Sequence, residues 1–144
     1  MSHTVFDLTG NERIVEWKKF RNQLETSEAP LSEVAVYWSR APFVNDFLDP
    51  NDPSKWPDPW HLVLDNRYDD LAISLGIAYT LKLTTRFMIE NIEIHMSILD
   101  DKKGKKYPVT IGDYALNWSY REVVEKNVIP KNNTILIFTI PTIQ

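Results

Sequence analysis

The hydrophobic period of this chain changes once along its length. Up to Leu83 the apolar residues recur at helical spacing, and from Ile92 onward they alternate. A stripe spaced for a helix cannot be buried on one face of a strand, and an alternating run cannot be buried on one face of a helix. Helices followed by antiparallel strands predict an α+β fold: N-terminal helices packed on a C-terminal antiparallel sheet of three to five strands. The 144 residues suit a single domain. A chain of that size removes roughly 68–70% of its unfolded surface from water, enough for a true core.

The helical half divides at its capping and proline signals. Thr9 and Glu12 form a capping-box pair, so the first helix is expected to start near Gly10 and end near Thr26. Ile14, Trp17, Phe20 and Leu24 mark its stripe, with Arg21 at the edge. Pro30 suits the first position of a second helix that carries Leu31, Val34, Ala35 and Trp38 and stops before Pro42. Residues 41–59 hold five prolines and read as a long loop, pinned by Phe43, Val44, Phe47 and Leu48. Asp58 and Pro59 open another helix. Asn66 is expected to cap a longer one, with Asp69 and Asp70 in its first turn. The sequence leaves open whether 59–83 is one helix or two, and whether residues 1–8 form an ordered arm or a loose tail.

In the second half, Ile92, Ile94, Met96 and Ile98 alternate with Glu93, His95 and Ser97, a strand with one polar face. A hairpin turn at 101–104 leads to a returning strand over 105–111 and a third over 114–118. Ser119 and Glu122 predict a short helix over 120–127. Residues 135–140 are apolar at nearly every position, so a central or well-covered strand is expected there.

Composition removes several functions. With no cysteine there is no disulfide, no thiolate nucleophile and no cysteine-based zinc site. The net charge of −4 gives no general attraction for nucleic acid. Lys102, Lys103, Lys105 and Lys106 could touch phosphates, but Asp100 and Asp101 offset them and no stacking aromatics intervene, which favours a solvated turn. No apolar run reaches the roughly 18 residues of a membrane span, and the N-terminus lacks a signal-peptide layout. An intracellular protein without a cofactor is expected.

The densest chemistry lies over 56–72, where two tryptophans, two prolines, His61 and four aspartates precede an apolar helix. Its first reading is a partner-binding surface made of Trp56 and Trp60, stiffened by Pro57 and Pro59, with Phe43 and Phe47 in the loop before them. Its competitor is that both tryptophans close the end of the core. His61, Asp65 and Asp69, four apart, would share a face of a continuous helix and could bind a divalent metal. Helix capping alone would also place acids there.

His95 on its strand and Asp113 after Gly112 suggest a catalytic alternative. A helix followed by strands that carry a His and then an Asp resembles the transglutaminase-like and papain-like layout. That layout implies a nucleophile in the first turn of the helix. Here Arg67, Tyr68, Asp69 and Asp70 fill the region and no cysteine is present, so the resemblance implies an inactive relative, or else an enzyme using His95 and Asp113 in another way.

Ala41 to Asn45, Pro50 to Ser54, Trp56 to Arg67, Asp69 to Gly76, Tyr79 to Leu83 and Glu93 to Ser97 resemble a group of short proteins of marine cyanophages with contractile tails. That resemblance spans about residues 10–100. It implies a phage protein made in the host bacterial cytoplasm, a virion or assembly component whose partners are other phage structural proteins, or a regulator that binds a host protein.

Overall fold

The computed structural model describes residues 4–45, 47–99 and 104–143. Among the described residues four α-helices, α1 (Gly10–Leu24), α2 (Pro30–Trp38), α3 (Pro59–Asp65) and α4 (Asp70–Lys82), precede six strands. The strands are β1 (Ile92–Ile98), β2 (Lys105–Lys106), β3 (Val109–Ile111), β4 (Tyr114–Leu116), β5 (Val124–Glu125) and β6 (Thr134–Thr139). The class is α+β, with an antiparallel sheet.

Strand β1 is central. Glu93 pairs with Thr110 of β3 on one side and with Thr139 of β6 on the other. β2 and β3 pair with the same edge of β1 in one register, Ser97 opposite Lys106 and Ile92 opposite Ile111, and are two halves of one strand interrupted at Tyr107 and Pro108. The six strands therefore fill five positions, β6, β1, β2/β3, β4 and β5. The hairpin turn expected at 101–104 lies outside the described residues except for Gly104.

Ile92, Ile94, Val109 and Ile111 join α4 in one core. α4 is buried along most of its length, because Leu71, Leu75, Ala78 and Leu81 meet the sheet and the other helices. Aromatic side chains weld α2 to the N-terminal segment: Phe6 meets Trp38 and Tyr68 edge-on at 5.4 and 5.6 Å. The start of the chain is thus an ordered arm from Thr4, with a short 3-10 turn over Val5–Asp7.

Four expectations change. Gly10 does open α1, but Thr9 makes no side-chain cap bond; the reciprocal pair lies earlier, where Thr4 N–H donates to the Asp7 carboxylate at 2.9 Å. Residues 59–82 form two helices. Asn66 does not cap the second: it ends α3 in a left-handed conformation (φ 54°), and Asp69 caps α4 by accepting from Ala72 N–H at 2.8 Å. No helix forms over 120–127, since Asn117 (φ 61°) and Arg121 (φ 63°) both take the left-handed backbone and turn the chain into β5. Finally β6 is an edge strand, with Ile135 and Ile137 about half exposed, whereas β1 is the covered one. Alternation in 134–139 is masked because both alternating sets are apolar.

β5 and β6 lie at opposite edges of the sheet, so the chain between them, residues 126–133, must cross one face. It crosses the face away from the helices. That explains why His95, Ser97 and Thr110, on the polar side of β1 and β3, are buried.

Candidate functional site

Two regions bring candidate residues together. The first surrounds the loop before α3. Asp69 is its anchor: one carboxylate oxygen accepts from Phe47 and Leu48 N–H at 3.0 and 2.9 Å, while the other caps α4. Val44 N–H adds a bond to Tyr68 C=O at 2.8 Å. Trp56 is fixed through its indole N–H on Asp49 C=O (2.8 Å), and its ring stands edge-on to Phe138 of β6 at 4.8 Å. Tyr79 from α4 holds Pro57 C=O at 2.7 Å.

Beside Trp56 runs a groove of about 590 Å³, walled by Pro59 and Tyr79 on one side and by β6 from Ile137 on the other. Ile140 N–H donates inward to Ile92 C=O, so the antiparallel alternation turns the N–H and C=O groups of Ile135, Ile137 and Thr139 outward. No described strand pairs with that outer edge.

The four expected partner-binding residues do not form one patch. Trp60 is partly exposed and leans on Trp17 (5.7 Å), with the Arg21 guanidinium over both rings. Phe43 is exposed at a separate small cleft beside Trp38 and Tyr120. Phe47 is half buried under Arg67. Only Trp56 borders the β6 groove. The β6 edge itself was missed in the sequence, although an uncharged six-residue run without Pro or Gly was the available signal.

The metal trio is dispersed in role. His61 pairs with Asp58 (2.9 Å), which holds its imidazolium and lifts its pKa above 6.5. Asp65 ends α3 and Asp69 is committed to three backbone N–H groups. Among the described residues no group of three or more His, Asp or Glu is placed to hold a metal ion.

The second region is a cleft of about 600 Å³ beneath the 126–133 crossing, and it brings His95 and Asp113 together. His95 Nε2 lies 3.1 Å from Thr110 Oγ1 and 3.3 Å from Glu93 Oε1. Burial lowers its pKa below 6.5 against the opposing pull of Glu93, so the ring is neutral at pH 7. Asp113 sits at the rim, its C=O accepting from Lys126 N–H at 2.8 Å. No α4 residue lines this cleft, because α4 packs on the other face of the sheet. The helix-borne nucleophile of the transglutaminase-like layout would therefore stand across the sheet from His95.

The basic hairpin contributes little here. Lys106 donates to Trp118 C=O and lies 4.9 Å from its ring centroid, Lys105 is exposed, and Lys102 and Lys103 fall outside the described residues. Among the described residues no helix is long and apolar enough to cross a membrane. No protein-family model matches the chain, and neither a curated protein nor a solved structure shows significant similarity to it.

Proposed function

We propose that this is a phage protein that works by holding another polypeptide, as a component of the virion or of its assembly, and that the outer edge of β6 beside Trp56 is the contact. One observation carries the reading: β6 (Thr134–Thr139) is an open edge strand without a charge, proline or glycine. Proteins ordinarily blunt such edges with lysine, proline or a bulge, because an open ladder recruits other chains. Here the register shift is confined to the start of β6, at Met96/Ser97 of β1, and four regular pairs follow.

An extended segment of a partner added at this edge would gain main-chain hydrogen bonds from Ile135, Ile137 and Thr139. The groove beside Trp56 would select its side chains. The aromatic ring is preorganised there by Asp49 and Phe138, so little ordering entropy is lost on binding. The phage assignment rests on the sequence resemblance over residues 10–100.

The test is quantitative mass spectrometry of purified virions from infections carrying the wild-type chain or Ile137→Lys. Ile137 is about half exposed, so a lysine there leaves the core intact while charging the edge. The wild-type chain is expected at a fixed copy number and the variant is expected to be lost. Absence of the wild-type chain sinks the virion role, and full retention of the variant moves the contact away from β6.

A further inference from the structure

We propose that the polypeptide held at the β6 edge is a second copy of this chain, its β6 running antiparallel to the first about a two-fold axis at Ile137. The inference rests on the reading of β6 as the contact and names the occupant.

Charge separates this edge from the others. β2 consists of Lys105 and Lys106, and β5 of Val124 and Glu125, so both are short and charged. Charge and shortness are the usual means of blunting an edge. β6 has six residues, and no charged side chain occurs from Asn132 to Gln144, although 25% of the chain is charged. Contacts between different proteins are ordinarily steered and selected by opposite charges. Two copies that each carry a net charge of −4 have no such complement to offer. They approach without repulsion along a neutral seam, and β6 supplies one.

Patterning agrees with that choice. Leu136 and Phe138 stand opposite Met96 and Ile94 on the helix side of the sheet, while Ile135 and Ile137 point to the other side. A strand apolar on both faces has the pattern of an interior strand. In the single chain β6 lies at the edge and leaves Ile135 and Ile137 about half exposed. A second β6 makes the first an interior strand.

The backbone sets the register. Ile135, Ile137 and Thr139 turn their N–H and C=O groups outward. With Ile137 opposite Ile137 of the second copy, Ile135 falls opposite Thr139 and Thr139 opposite Ile135, all as hydrogen-bonded pairs. Sliding the second strand one step either way engages Asn133, which belongs to a 3-10 turn, or Pro141, which has no N–H. Only the central register uses every outward group of β6 and avoids both. Its cross-strand pairs are β-branched throughout, which suits a sheet. Such a contact is isologous, so it consumes the open edge of both copies and closes at a dimer.

Sedimentation velocity of the full chain over about 5–500 µM reads the oligomeric state, because a contact confined to one strand edge belongs to the weak, micromolar class. The wild type is expected to pass from monomer to dimer in that range. Ile137→Lys is expected to stay monomeric with an otherwise unchanged amide spectrum. Since the chain has no cysteine, introduced thiols report the register. Ile137→Cys sets two Cα atoms about 5.5 Å apart across the axis, within disulfide reach. Ile135→Cys leaves them roughly 13 Å apart along the strands, out of reach. Mild oxidation is therefore expected to cross-link Ile137→Cys and the double variant Ile135→Cys with Thr139→Cys, but not Ile135→Cys alone. A wild type still monomeric at the highest concentration overturns the proposal. So does an Ile137→Lys dimer as tight as the wild type, or equal cross-linking of Ile137→Cys and Ile135→Cys. The reading of β6 as a contact fails separately, by full retention of Ile137→Lys in virions. A monomeric wild type whose Ile137→Lys variant is lost from virions keeps that contact and gives it to a different chain.

Discussion

The indole of Trp38 lies so close to Gly76 that a Cβ at Gly76 would sit 2.4 Å from the ring. This contact sets the approach of α2 to α4. The same indole N–H donates to Thr80 Oγ1 at 2.9 Å, one turn along α4, so ring and edge are both fixed by one helix.

Gly76→Ala is expected to destabilise the protein by about 1–3 kcal/mol, because the methyl must push the buried indole aside. Urea unfolding checks this. A midpoint equal to that of the wild type would mean that α2 can slide without cost. Trp38→Phe combined with Gly76→Ala is expected to recover part of the loss, since the smaller ring frees the space.

Thr80 Oγ1 accepts from both Trp17 and Trp38 (3.0 and 2.9 Å) and donates to Gly76 C=O at 2.6 Å. Thr80→Val keeps the shape and removes every one of these bonds. The expected cost is about 1–3 kcal/mol for each buried indole N–H left unpaired. Thr80→Ser, which retains the oxygen, is expected to lose much less. Equal loss in both variants would show that the methyl packing dominates.

Asp69 uses both carboxylate oxygens, one for α4 and one for the loop at Phe47 and Leu48. Asp69→Asn replaces one acceptor with a donor facing N–H groups. The change is expected to cost about 2 kcal/mol and to open the loop. Limited proteolysis should then cut first within 43–58. Cleavage elsewhere first would separate the cap from the loop.

The two described histidines are expected to titrate on opposite sides of 6.5. For His95, burial lowers the folded pKa, with Glu93 opposing and Lys126 assisting. The unfolded chain then binds its proton more readily than the folded one. The stability due to neutral His95 is full above pH 6.5 and is lost as the pH falls through the lower folded midpoint. His61 moves upward through Asp58 but is fully solvated. NMR titration of the Cε1 protons checks both directions. His95→Gln should flatten the stability profile just below pH 6.5, and His61→Gln should leave it unchanged.

Periodicity made the helices and most strands legible, because 3.6 and 2 leave distinct marks when one face is polar. It failed where that contrast vanished. In β6 both alternating sets are apolar, so the pattern could not separate an edge from a centre. Arg13 was invisible for another reason. It sits next to the expected stripe of α1 but is buried, donating from Nε to Val63 C=O at 2.8 Å and from Nη2 to Leu64 C=O at 3.1 Å. It thereby closes the C-terminal end of α3. A side chain that spends its charge on carbonyls some fifty residues away leaves no local trace.

By itself the sequence determined the fold class, the order of helices before strands, the lack of thiol chemistry and the aromatic weight of the helical half. These follow from composition and local spacing. The tertiary structure decided which strand is central, that β6 is left with an open edge beside Trp56, and that His95 and Asp113 share a cleft. Those outcomes depend on strand order and on the crossing of 126–133, relations between distant segments that no local spacing encodes.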